Sequence, residues 1–163
     1  MRFLQIFTIT SLAIMLFIGC SKKSDNSKTG TFSFTKVNGK TYTMNYVDTA
    51  IPTKNGTFSL QYQTYNSSGS EWMFFVYVDN NNDLGLDIVI PTTIVNGVSY
   101  TTSSSLGRTV DFYGKLDNES LNSSRTTLVF EKSTYPGQIV GSFSVYASNN
   151  SLIGNGKFDF EAK

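Results

Sequence analysis

Residues 31–46 read TFSFTKVNGKTYTMNY, two runs of alternating side chains separated by a glycine-bearing turn. Alternation with period two is the signature of a strand that buries one face, and Asn-Gly between two such runs marks a hairpin. The register decides which residues form the core. A two-residue Asn38-Gly39 turn would set Phe34 opposite Thr43 and scatter the large side chains over both faces. A three-residue loop, Val37-Asn38-Gly39, with Gly39 left-handed as a bulge, sets Phe34 opposite Tyr42 and Phe32 opposite Met44. The second register gathers the apolar side chains on one face, and a half-buried strand needs that.

The same pattern recurs outward from this hairpin, in Thr57 to Tyr65, Glu71 to Val78, Leu86 to Ile90, Gly97 to Thr102, Thr109 to Leu116, Thr126 to Lys132, Gln138 to Ala147 and Leu152 to Ala162. Asn55-Gly56, Asn96-Gly97, Pro136-Gly137 and Asn149-Asn150 punctuate the runs. Residues 71–78, EWMFFVYV, are apolar on both alternating faces, which predicts a central strand covered on both sides. After Cys20 no stretch carries the helical period. Roughly ten strands predict an all-β domain, an antiparallel two-sheet β-sandwich of jelly-roll or immunoglobulin-like type, with a lipocalin-like barrel as the alternative.

The first thirty residues have a different character. Arg2 precedes an apolar run from Phe3 to Ile18, the pattern of a secretory signal peptide spanning residues 1–19. Sixteen helical residues cover roughly 24 Å, short of the bilayer's apolar core of about 30 Å, so the run reads as an export signal rather than a span. Phe17-Ile18-Gly19-Cys20 resembles the lipobox of bacterial lipoproteins. That resemblance implies that Cys20 is lipidated with diacylglycerol and fatty acid, and so becomes the anchored N-terminus. Acyl chains contribute about 0.8 kcal/mol per buried CH₂, so two or more make the anchor effectively permanent. Residues 20–30 then read as the lipidated Cys and a polar, flexible tether, whose coil length is roughly 18 Å, and residues 31–163 as a single β domain.

Lipobox, tether, the opening VNGKTYTM and the closing GSFSVYA and IGNGKFDFEAK together resemble the small lipoproteins of Bacteroidota. The resemblance implies an all-β envelope lipoprotein at the outer membrane and transfers no catalytic residue. Surface-exported members of that group carry an acidic run after the Cys, whereas Ser21-Lys22-Lys23-Ser24-Asp25 is basic here. The expectation is therefore the periplasmic face.

Composition removes several function classes. The chain has no His and one Cys. Ser-His-Asp and Cys-His catalysis, imidazole zinc sites and internal disulfides are thus excluded. Thirteen Lys and Arg stand against twelve Asp and Glu, and losing Arg2 with the leader makes the two equal. A near-neutral domain lacks the basic excess that nucleic acid binding requires.

Among the remaining polar residues, Asp79, Asn81, Asp83 and Asp87 occupy positions 1, 3, 5 and 9 of DNNNDLGLD. Oxygen ligands at alternating positions of a loop can converge on calcium, and the pattern resembles the DxDxDGxxD loops of some extracellular β proteins, with Leu84 where that motif has Gly. The competing reading is a polar hairpin turn. Trp72, Tyr62, Tyr65, Tyr77, Tyr100 and Tyr113 are candidates for a carbohydrate platform or for core. Asp48-Thr49-Ala50 resembles the O-glycosylation sequon of the same bacterial group, making Thr49 a candidate if exposed. Asp111, Asp117, Glu119, Glu131 and Asp159 could supply a hydrolase pair, although no spacing selects one. The chain is thus expected to be a non-catalytic binding or structural module with a carbohydrate or envelope-protein partner; the alternatives are a carrier of small apolar ligands and a carboxylate-dependent hydrolase.

Overall fold

A computed structural model describes residues 28–65, 69–121, 123–134 and 136–161. Residues 1–27, which include the stretch read as a leader, Cys20 and most of the stretch read as a tether, lie outside the described residues. Eleven strands form one continuous sheet: β1 (Thr29–Lys36), β2 (Thr41–Tyr46), β3 (Thr57–Tyr65), β4 (Gly69–Asp79), β5 (Asn82–Ile90), β6 (Ser99–Thr101), β7 (Thr109–Leu116), β8 (Glu119–Ser120), β9 (Arg125–Ser133), β10 (Gln138–Tyr146) and β11 (Leu152–Glu161). Their order across the sheet is β6-β9-β10-β11-β1-β2-β3-β4-β5-β7-β8. Every neighbouring pair is antiparallel except β2 and β3, whose parallel pairing is limited to Asn45 opposite Thr57 and Tyr46 opposite Phe58. β1 starts at Thr29, so ordered pairing reaches two residues into the stretch read as tether.

The β1–β2 hairpin adopts the bulged register. Phe34 faces Tyr42 and Phe32 faces Met44, with Gly39 at φ +87°. The physical reason is the one-sided burial that the alternation required: Phe32, Phe34 and Met44 are buried, while Thr41, Thr43 and Asn45 are exposed.

Instead of separating into two sheets, the strands curl as a half-barrel around that buried face. Rings from distant strands meet inside the curl: Phe34 on β1 stacks on Phe112 of β7 at 4.7 Å, Trp72 on β4 lies 5.2 Å from Phe130 of β9, and Phe74 lies 4.7 Å from Phe158 of β11. So many large rings fit because glycines face them. A Cβ on Gly156 would come within 2.0 Å of Phe143, one on Gly141 within 2.5 Å of Phe158, and one on Gly154 within 2.6 Å of Phe34. Ring over glycine keeps the interior filled and lets the strands bend. The lipocalin-like alternative is not realised either. The two ends of the sheet approach each other where the Thr102 hydroxyl accepts from the Val110 amide at 3.2 Å, but no ladder among the described residues closes the barrel.

β4 has paired neighbours on both edges, as a central strand must. Its Trp72, Phe74 and Val76 are buried within the curl, whereas Met73, Phe75 and Tyr77 on the outer face are only half-buried. The outer face is covered there by the β2–β3 connection, which crosses β3 and accepts hydrogen bonds at the Ala50 carbonyl from Ser59 and Gln61.

Candidate functional site

The outer face of β4, β5 and β7 carries an open cleft. Gly85 of β5 lies at its centre, directly opposite Phe75 on β4 and Tyr113 on β7. Lacking a side chain, Gly85 lets the Tyr113 ring lie across the strand: a Cβ there would sit 2.2 Å from the ring. Ile51 and Pro52 from the β2–β3 connection form the far wall, and the cleft encloses about 230 Å³. Ile51 and Tyr113 are among the most exposed large apolar side chains of the domain, at 66 % and 41 %.

Because strand side chains alternate, the residues two places either side of Gly85 share its face, and both are aspartates. Asp83 lines the cleft. Asp87 receives the Tyr113 hydroxyl at 3.4 Å on each carboxylate oxygen and lies directly opposite Asp111. Burial pushes the Asp87 carboxyl up; Asp111 and Glu71 push the same way, while the Tyr113 hydrogen bond works against them. Burial likewise pushes the Tyr113 phenol up, followed by the Asp87 charge.

The four residues expected to form a calcium loop are not gathered. Asp79 ends β4 and Asn82 begins β5, so only a tight two-residue turn separates the strands. Asp79 caps that turn itself, accepting from the Asn81 amide at 2.9 Å and from the Asn82 side chain at 2.7 and 2.8 Å. These bonds, the Asn81 amide first, hold its carboxyl below the ordinary value. Asp83 and Asp87 are already inside the strand, four residues and hence about 13 Å apart. No group of three or more Asp, Glu, Cys or His among the described residues is arranged to hold a metal ion. Leu84, where the motif has Gly, is a buried strand residue, and this commits the segment to pairing instead of looping.

The aromatic candidates divide. Trp72 and Tyr100 are core, Tyr62 packs against it, and only Tyr77 and Tyr113 reach the cleft. Tyr65 has no described side chain. Thr49 is exposed on the β2–β3 connection, as its sequon needs, and donates to the Ile51 carbonyl at 3.3 Å. Cys20 lies outside the described residues. Of the carboxylates, Glu131 on β9 and Asp159 on β11 stand on either side of β10, and Asp159 accepts from Gln138 at 2.9 Å. The Asp87–Asp111 pair was invisible in the sequence, because it depends on the β5–β7 register across the 18 residues that separate Ile90 and Thr109 in the chain.

Asp117 and Glu119 serve a different purpose. Asp117 and Asn118 both take positive φ, 52° and 65°, which bends the β7–β8 hairpin sharply. The turn reaches the tip of the first hairpin, where Asp117 accepts from the Tyr42 hydroxyl at 2.6 Å and from Lys40. Lys36, with 11 % of its side chain exposed, bridges Asp117 at 3.4 Å and Glu119 at 2.9 Å. These contacts latch one end of the sheet to its middle. Lys40 first, then Tyr42, hold the Asp117 carboxyl down at about 2, against an unfolded value near 3.9. A depressed carboxyl adds stability that is complete above its unfolded value and is lost as pH falls through about 2. Wild type should therefore lose melting temperature more steeply between pH 4 and pH 2 than Asp117→Asn does, as scanning calorimetry at those two pH values would show. Parallel curves would mean that the latch carries no charge-dependent stability.

No known protein family, curated protein or solved structure matches the chain.

Proposed function

We propose that this chain is a non-catalytic envelope lipoprotein, held through a lipidated Cys20 at the periplasmic face of the outer membrane, and that it works as a binding module through the Gly85 cleft. The observation that carries the reading is the contrast between the two faces of the sheet. Among the described residues the inner face is packed with phenylalanine, whereas the outer face presents an open, mostly apolar cleft bordered by a few polar groups, the ordinary composition of a small-molecule site. An absence of His supports the non-catalytic half of the reading. The two-residue joint between β2 and β3, with ring contacts across the interior, supports viewing the curl as sandwich-like in its packing. Thr49, exposed beside the cleft wall, is the position where a glycan would attach.

Asp87 opposite Asp111, beside Tyr113, favours a carboxylate hydrolase as the second reading. Two measurements separate these possibilities. Wild type should incorporate labelled fatty acid and partition into detergent, and Cys20→Ala should do neither; unlabelled wild type refutes the anchor. The full chain should turn over none of a panel of glycans and esters. Turnover that disappears in Asp87→Asn or Asp111→Asn would replace the binding reading with the enzymatic one.

A further inference from the structure

We infer that the ligand of the Gly85 cleft is an organic ammonium ion, its apolar body laid against Tyr113, Phe75 and Ile51 and its charged nitrogen turned toward Asp87 and Asp111. The inference rests on the binding-module reading and names the chemistry of that same site.

Three features of the face point to a cation. The first is charge without compensation. Glu71, Asp87 and Asp111 stand on the neighbouring strands β4, β5 and β7, with Asp87 and Asp111 directly opposed. The hydrogen-bonding partners shown for them are neutral: Gln63 donates to Glu71, Tyr113 to Asp87 and Thr102 to Asp111 at 3.0 Å. None makes a salt bridge with a described residue. Like charges directly opposite on a sheet are destabilising, and a bound cation would reverse the sign of that contribution.

The second is the coupling of the charged group to the cavity. Tyr113 belongs to both: its ring lies over Gly85 as one wall of the cleft, and its hydroxyl touches Asp87. A ligand whose apolar part contacts that ring is thereby placed beside a carboxylate. Asp87 is itself partly withdrawn from water, as its raised carboxyl reflects, so a contacting cation gains more there than at a fully solvated aspartate.

The third is the wall chemistry. Phe75, Tyr77 and Tyr113 offer ring faces that attract an ammonium group, and they repel anions. Lys115 sits opposite Asp83 at the other end of the cleft. The acidic side chains that face no basic partner therefore lie at the Asp87 end, and this orients the ligand. The small volume limits the occupant to a short chain or a single ring.

The test is titration of the full chain in detergent with n-hexylammonium, with hexanol and hexanoate as probes of equal chain length, followed by backbone amide NMR shifts. The inference expects saturable shifts at Gly85, Asp87 and Tyr113 with hexylammonium, weaker ones with hexanol and none with hexanoate. Asp87→Asn and, as a second variant on a different strand, Asp111→Asn should each weaken hexylammonium by about tenfold or more, as loss of a charged contact does. Asp159→Asn, remote on the same outer face, should leave it unchanged. Hexanol binding as tightly as hexylammonium, in wild type and Asp87→Asn alike, would overturn the ammonium assignment while leaving the cleft a binding site. Shifts with none of the three probes would overturn the cleft as a binding site altogether.

Discussion

Gly156→Val is expected to unfold the domain or bring it close to unfolding. Gly156 lies on β11 with the Phe143 ring pressed onto it, and even the first added carbon would sit 2.0 Å from that ring. Phe143 has nowhere to go: it is packed 5.6 Å from Phe32, 6.3 Å from Phe34 and 5.5 Å from Phe112. Overpacking of this kind costs about 1–3 kcal/mol when one methyl is added. The branched valine should exceed that, against a total stability of about 5–15 kcal/mol. Urea denaturation of wild type, Gly156→Ala and Gly156→Val should give midpoints that fall in that order. Phe143→Leu frees space over Gly156, so Gly156→Ala should cost less in that background than in wild type, with a coupling of about 0.5–3 kcal/mol. Additive costs would show that the ring can move aside and that glycine is not required there.

Phe74→Ala should destabilise by about 3–5 kcal/mol, the range for deleting a fully buried aromatic side chain. Phe74 is fully buried on β4, at the point where the curl brings β1, β3 and β11 together: its ring lies 5.7 Å from Phe32, 6.1 Å from Phe58 and 4.7 Å from Phe158. Removing it opens a cavity that three strands would have to shift to close. A loss of roughly 10 °C or more in melting temperature is expected. Val37→Ala, at a hairpin tip where the side chain is 70 % exposed, should stay within about 0.5 kcal/mol of wild type. Equal effects at the two positions would contradict the packing described for β4.

The sites were less legible than the fold, and the residues show why. Residues 79–87 offered two readings of one string: alternate oxygens fit a cation loop, and alternate apolar residues fit a strand. Leu84, Leu86 and Ile88 had a core to enter, and burying three aliphatic side chains outweighs what a loop of weakly held carboxylates gains from an ion. The competition could not be weighed without knowing that β4 and β7 lay on either side to pair with β5. Tyr113 was one of six aromatic candidates, but it stands 28 positions from Gly85 in the chain, and only the register set one against the other.

What the sequence determined by itself was local and periodic. Alternation placed the strands, and Gly39 with the one-sided distribution of Phe32, Phe34, Tyr42 and Met44 selected a bulged hairpin. The missing His and single Cys removed whole classes of chemistry. Tertiary structure alone decided what depends on long-range register: that the strands join in one curled sheet, that glycines on β10 and β11 receive rings from other strands, that Asp117 latches the first hairpin, and that Asp87 meets Asp111. The physical reason is that side-chain alternation specifies which face a residue occupies but not its neighbour across the sheet. That neighbour is chosen by the fit of aromatic volumes in a shared interior, a property of all the strands together.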